Sequence, residues 1–241
     1  MSAPIPSSSQ KQENNDENAL LNEVLPKLRP FQREALEFAT EGKIFDRQWN
    51  DVTLDEHKKR GGCSQSKPSS SPRIHPRGRL LLADEMGCGK SITALAIASY
   101  YEPEWPLLIL CPASLRYTWP SELEKFFPRT LNPQAVHVVA GFSDVAFLER
   151  KDVKVVVCTY SLFQKRSAVA HALVERPFQV VICDESHNLK EKNSQRAEFV
   201  LPLLEMSKRL LLLSGTPALA KPVDLWTQVH ALRADLFGNH S

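Results

Sequence analysis

The 241-residue sequence contains no apolar run of membrane-spanning length. Its polar, mildly acidic start has neither the apolar stretch of a signal peptide nor the arginines of a transit peptide. These absences lead us to expect a soluble chain of the cytosol or nucleus, without a membrane partner. Paired cysteines are missing too. Cys63, Cys88, Cys111, Cys158 and Cys183 include no C-x-x-C pair, so neither a zinc site nor a disulfide framework is indicated. Cys111, Cys158 and Cys183 close apolar runs and read as small core residues in a reducing compartment. A surplus of positive charge is also lacking. Thirty basic residues against 28 acidic ones leave a net charge of +2, so any contact with nucleic acid must come from a local patch. What is present is a hydrophobic fraction of 42%, ordinary for a globular core.

Residues 1–19 are rich in Ser, Asn, Gln and Glu and nearly free of large apolar groups, which predicts a disordered tail with order beginning near Leu20. The stretch "LRPFQREALEFATEG" in the region 20–42 predicts a helix with Pro30 in its first turn, Phe31, Ala35, Phe38 and Ala39 on one side, and Gly42 as its stop. Residues 43–78 carry glycine, serine and proline clusters without a sustained period and read as a flexible insertion, whose "HKKR" is either a solvated run or a weak basic signal. From residue 79 a rhythm sets in: "RLLLA", "PLLILC", "AVHVVA", "VKVVVC", "FQVVIC" and "RLLLLS", separated by segments of helical character. Each run is apolar on both faces. Such strands need cover on both sides, so the expected fold is α/β, a doubly wound, mostly parallel sheet flanked by helices over 79–235, with chemistry at the carboxyl ends of the strands.

The stretch "LLADEMGCGKS" passes from a strand through glycines into a helix carrying Ile92, Leu95, Ala96 and Ser99 on one face. In such a loop backbone N–H groups and the helix N-terminus cradle phosphate, the lysine neutralises the terminal phosphates and the hydroxyl joins a Mg²⁺ shell. Here those parts are Gly87, Gly89, Lys90 and Ser91, although Asp84 stands where the general pattern begins with glycine. In "VVICDESHNL", Asp184 and Glu185 follow a buried strand, where they suit Mg²⁺ binding and activation of a water, or else form a polar turn before a helix. In "LLLLSGTPALAKP", Ser214, Gly215 and Thr216 reach the same sheet edge, either to sense a γ-phosphate or as an ordinary turn.

Taken in order, "LRPFQ", "LLADEMGCGKS", "LLILCPASLRYTWPSELEKF", "VVICDESHNLK" and "LLLLSGTPAL" resemble the adenine motif and motifs I, Ia, II and III of the Swi/Snf-type helicase-like ATPases of superfamily two. The wording of motifs Ia, II and III is most similar to that of the annealing helicases, which remodel replication forks. The resemblance implies a RecA-like ATP-binding lobe, a DNA-dependent ATPase activity, ATP and Mg²⁺ as nucleotide and metal, DNA as partner through sequence-tolerant contacts with forked or branched forms among its substrates, replication or repair proteins as further partners, and a nuclear location. It also accounts for Asp84, because Asp-Glu-x-Gly-x-Gly-Lys is the family's normal form of motif I.

Carried over by position, Gln32 reads the adenine, with Arg29 and Phe31 shaping that pocket and Asp84, Gly87 and Gly89 completing the phosphate loop. Lys90 binds the β/γ-phosphates, Ser91 and Asp184 hold Mg²⁺, Glu185 is the base, and His187 links the nucleotide to Ser214 and Thr216. Pro112, Ser114 and Arg116 fall where the family grips the DNA backbone, with Ser114 equally suited to capping the helix toward Phe126. The residues of the tail, 236–241, follow motif III without the second lobe whose arginine fingers complete the family's site. Loss of such fingers costs about 10³ to 10⁵ in turnover. We therefore expect weak hydrolysis from this chain, as a fragment or truncated product of a DNA-dependent ATPase, with a non-catalytic DNA- or partner-binding module as the alternative.

Overall fold

The structure, a computed structural model, describes residues 18–46, 49–53, 77–163, 167–189, 195–216 and 225–233. Helix α1 (Ala19–Val24) starts within the stretch read from sequence as tail, because the Asn18 side chain caps it by accepting the Leu21 N–H at 2.9 Å. The rest of the expected tail, 1–17, and the residues 236–241 lie outside the described residues. Helix α2 (Pro30–Glu41) matches its expected span, with Pro30 at its first position and Gly42 closing it in the left-handed conformation. Its buried stripe differs from the one expected: Gln32, Leu36, Ala39 and Thr40 face inward, while Phe31, Ala35 and Phe38 are only half-buried.

The expected insertion is not without structure where it is described. Strands β1 (Lys43–Asp46) and β2 (Trp49–Thr53) pair antiparallel, Lys43 opposite Thr53 and Ile44 opposite Val52. Ile, Phe, Trp, Val and Thr favour a strand, but segments this short show no period that could be read as one. Residues 54–76 of the insertion lie outside the described residues. The chain re-enters at Gly78, whose N–H donates to Ala39 O at 2.8 Å in the last turn of α2, and the Tyr101 hydroxyl donates to the same carbonyl at 3.1 Å. A carbonyl that the helix itself cannot satisfy thus fixes the base of the insertion.

All six apolar runs are strands of one sheet. β3 (Arg79–Leu82) is followed by α3 (Lys90–Tyr100), β4 (Leu107–Cys111), α4 (Thr118–Phe126), β5 (Val136–Val138), α5 (Val145–Leu148), β6 (Val155–Thr159), α6 (Ala168–Glu175), β7 (Val180–Cys183), α7 (Gln195–Met206), β8 (Arg209–Leu213) and α8 (Trp226–Leu232). The spatial order is β3-β8-β7-β4-β6-β5 and every pairing is parallel. Alternate residues feed two cores. Leu107, Ile109, Val155, Val157, Val180, Ile182, Leu211 and Leu213 pack under α1 to α4, and Leu108, Leu110, Val156, Val181, Leu210 and Leu212 pack under the helices of the opposite face. Helix α3 is apolar all round because it lies between the sheet and α1–α2; Ala94, Ala96, Ile97 and Ala98 are fully buried.

Arg79, the first residue of β3, is buried and its guanidinium donates to the backbone oxygens of Leu204, Ser207, Ala231 and Leu232. It thereby closes the C-terminal ends of both α7 and α8 with one cation. Burial pushes its pKa below the usual arginine value, the Glu205 carboxylate opposing this. Arg79→Met should cost on the order of 3 kcal/mol in urea unfolding, since charged hydrogen bonds contribute about 1.5–3 kcal/mol each and the carbonyls lose their donor. Amide exchange should rise first in α8.

Beyond β5, buried Asp144 accepts the N–H groups of Ala140 at 2.7 Å and Gly141 at 2.8 Å, and His137 Nε2 stands 3.4 Å from its other oxygen. Burial alone would raise the Asp144 pKa, but the two backbone donors and then His137 outweigh it and hold it below the usual value. A carboxylate depressed in the folded state stabilises above its unfolded pKa of about 3.9 and loses that contribution as pH falls through the folded value. Asp144→Asn should therefore destabilise by about 1 kcal/mol at pH 7, and the gap from wild type should narrow in thermal melts taken below pH 4.

Candidate active site

The strand order sets β3, β8, β7 and β4 side by side, so four sequence motifs reach one edge of the sheet at neighbouring positions. After β3 the loop from Ala83 turns into α3 at Gly89, the residue before the first helical position. Gly89 has φ 80°, and a Cβ there would lie 2.5 Å from Gln32 Nε2, so only glycine fits. Lys90 Nζ donates to the carbonyls of Asp84 at 2.8 Å and Glu85 at 3.0 Å, which holds the ammonium across the mouth of the loop. Asp84 thus contributes through its backbone.

Gln32, expected to read the adenine, is buried. Its Nε2 donates to Cys88 O at 2.9 Å, and its Oε1 accepts the Arg29 N–H at 2.8 Å. It stands behind the phosphate loop as a brace between that loop and the start of α2. Phe31 is half-buried and Arg29 exposed beside it.

Asp184 and Glu185 follow β7 directly. The Asp184 N–H continues the ladder to Leu110 O at 2.7 Å, and its carbonyl accepts the Tyr160 hydroxyl at 2.8 Å. Its carboxylate takes one hydrogen bond on each oxygen: from Glu185 N–H on Oδ1 at 2.9 Å and from the Trp119 indole on Oδ2 at 3.0 Å. Burial is the largest influence on Asp184 and raises its pKa, with the Trp119 and Glu185 donors opposing that rise. Glu185 has φ 49°, the one non-glycine positive φ among the described residues. That conformation costs about 1–3 kcal/mol. The Asn188 N–H and Nδ2 secure it by donating to Glu185 O at 2.9 and 2.8 Å.

His187 Nδ1 lies 3.2 Å from Glu185 Oε2 and 3.2 Å from Ser214 Oγ. Ser214 is fully buried after β8, and its Oγ accepts the Thr216 N–H at 3.2 Å. A Cβ on Gly215 would come within 3.3 Å of Met86 and 3.8 Å of Lys90 Nζ, so the turn after β8 rests on the phosphate loop. Ser186, also fully buried, donates to Gln228 Oε1 at 2.7 Å and ties the carboxylate turn to α8. Lys90, Ser91, Gly87, Gly89, Asp184 and Glu185 line one cleft of about 290 Å³, together with Leu115, Thr118, Trp119 and Glu122 from the β4 side. Gln32, Arg29 and Phe31 do not line it.

Beyond β4, Pro112 opens a short 3₁₀ turn over Ala113–Leu115, with Ser114 exposed. Ser114 does not cap α4, which begins at Thr118 after Tyr117 with no side-chain cap. The Arg116 guanidinium stacks over Tyr117 at 4.8 Å, and its Nε is buried without a hydrogen-bond partner. Sequence reasoning missed Trp119, Tyr160 and Gln228: each sits in an apolar pattern that reads as core, and nothing in the local sequence signals a polar atom aimed at the site. A groove of about 700 Å³ lies at the opposite, amino-terminal edge of the sheet, near Glu102, Arg150, Lys154 and Arg176. There Lys154 pairs with Glu102 at 3.0 Å and Arg150 with Asp152, and Arg176 donates to the carbonyls of Leu148 and Val153.

Comparison with known proteins agrees with this arrangement. The model of the SNF2-related domain matches residues 32–241. The chain is 43% identical over 162 residues to the DNA annealing helicase and endonuclease ZRANB3 of Homo sapiens, covering 67% of this chain and 15% of that protein. It is 43% identical over 164 residues to the SWI/SNF-related matrix-associated actin-dependent regulator of chromatin subfamily A-like protein 1 of Bos taurus, covering 68% of this chain and 16% of that protein. It therefore spans about a sixth of the length of these relatives. Among solved structures, the Sulfolobus solfataricus SWI2/SNF2 ATPase core in complex with dsDNA superposes with a TM-score of 0.53 at 28% identity, covering 66% of this chain and 32% of that one. Fold, strand-end motifs and these likenesses agree that the chain belongs to the SNF2-related domain family, with the α/β, RecA-like lobe of its ATPases.

Proposed function

We propose that this lobe binds Mg-ATP in the cleft at the carboxyl ends of β3, β8, β7 and β4, and hydrolyses it in a DNA-dependent manner as part of a helicase-like motor that anneals or remodels forked DNA in the nucleus. The observation that carries the reading is the convergence of Lys90, Ser91, Asp184 and Glu185 on that one cleft, with His187 joining Glu185 to Ser214. No group of three or more His, Cys, Asp or Glu able to hold a metal occurs among the described residues. That fits Mg²⁺, which is bound by one or two carboxylates together with substrate phosphates. Ser91 and Asp184 would hold it, and it would supply neutralisation of the charge on the bound phosphates.

The chain's own residues supply the rest. Backbone N–H groups at the start of α3 receive phosphate oxygens, and Lys90 exchanges its carbonyl partners for them. Glu185 accepts the proton of the attacking water, oriented by His187 at 3.2 Å. His187 reports to Ser214 and thence to the Thr216 N–H. No arginine lines the described cleft, so the charge developing on the γ-phosphate lacks the neutralisation that an arginine finger contributes. Pro112, Ser114 and Arg116 form the surface toward the DNA backbone, and contacts of that kind are sequence-tolerant and weaken with salt.

The reading is tested by the ATP hydrolysis rate with and without branched DNA, for wild type, Lys90→Ala and Glu185→Gln. A low rate that rises with DNA and falls in both variants is expected. Equal rates in all three proteins would remove catalysis from this lobe and leave a binding module.

A further inference from the structure

We propose that Trp119 is a positioning residue for the magnesium ligand Asp184, joining the helix that follows β4 to the metal side of the cleft. The inference rests on the reading of that cleft as a Mg-nucleotide site. Trp119 is 2% exposed and lies in the first turn of α4, and its indole N–H donates to Asp184 Oδ2 at 3.0 Å.

An ionised carboxylate offers about four lone-pair directions. In Asp184 one on each oxygen is taken by the chain, Oδ1 by the Glu185 N–H and Oδ2 by Trp119, while the Tyr160 hydroxyl and Leu110 O fix its backbone. The carboxylate is therefore held in rotation, and its remaining lone pairs have one set of directions. Mg²⁺ demands near-ideal octahedral geometry, so its affinity depends on such orientation more than that of a larger cation does. An indole suits this task. It donates one hydrogen bond and carries no charge, so it orients the carboxylate without competing with the cation as lysine or arginine would. The donor belongs to α4, directly after the turn that carries Pro112, Ser114 and Arg116, so a movement of that turn reaches Asp184 through one side chain.

The test measures the affinity of a fluorescent ADP analogue for the full chain over a series of Mg²⁺ concentrations, in wild type, Trp119→Phe and Leu123→Val. Leu123, 1% exposed on the same helix, controls for lost packing. The half-saturating Mg²⁺ concentration should rise about 10-fold in Trp119→Phe, as losses of outer-shell partners run from roughly 10- to 100-fold, and stay unchanged in Leu123→Val. Affinity in EDTA should be the same in all three. An unchanged Mg²⁺ requirement in Trp119→Phe, or an equal rise in Leu123→Val, overturns the proposal while the nucleotide site stands. Wild-type binding that ignores Mg²⁺ overturns the site reading itself and this inference with it. If Trp119→Phe does not fold, the assigned indole ¹⁵N–¹H cross-peak of Trp119 in wild type is followed instead. A shift on adding Mg²⁺ with the ADP analogue, absent with the analogue alone, supports the proposal, and no shift overturns it.

Discussion

A strand covered on both faces has no place along its length for a charge without a partner, because desolvating one costs far more than any neighbouring apolar contact returns. In this sheet the central strands β4, β6 and β7 are buried at every position, and β8 at all but its first. In these strands charged groups can therefore enter only where a strand begins or ends. Parallel pairing makes all those ends point the same way, and the order β3-β8-β7-β4 puts four of them next to one another. Lys90, Ser214, Asp184 and Arg116 share an edge for this reason, although they are far apart in sequence.

The same constraint explains why Asp184 needs so many partners. It is the first residue past β7, still largely buried, and it carries a pKa pushed upward by that burial. Donors from β7's own turn, from α4 and from the segment after β6 surround it. The buried thiols that end the neighbouring strands respond to the same surroundings without partners of comparable strength: Cys111 is pushed up to about 12, chiefly by burial and then by Asp184. Such thiols stay protonated and behave as small apolar groups. Glu185, one residue further out, is less buried, has a left-handed backbone and holds its carboxylate 3.2 Å from His187.

Much of this was legible in the sequence. Runs such as "VKVVVC" and "FQVVIC" are apolar at successive positions, which marks a strand with cover on both sides, and the residues after them were the natural place to seek chemistry. Lys90, Asp184, Glu185 and Ser214 were placed at the sheet edge in that way, which is where the structure has them. Trp119 was not, because an indole inside an amphipathic helix looks like packing and its N–H leaves no periodic trace. Gln32 was assigned to the adenine through the resemblance alone, and its bracing of the phosphate loop through Cys88 O leaves no trace in the spacing of its helix. Arg79 went unnoticed since its partners are backbone carbonyls of helices more than a hundred residues away, and carbonyls carry no sequence signature.

The hydrogen bond from Gly78 to Ala39, seconded by Tyr101, has an evolutionary consequence. It pins the two ends of the segment between α2 and β3 to each other independently of what lies between. Once the ends of a chain are held, each doubling of its length adds only about 0.6 kcal/mol of closure entropy. The position behaves as a splice port: length polymorphism and foreign sequence can accumulate there while the registry of every strand that follows stays the same.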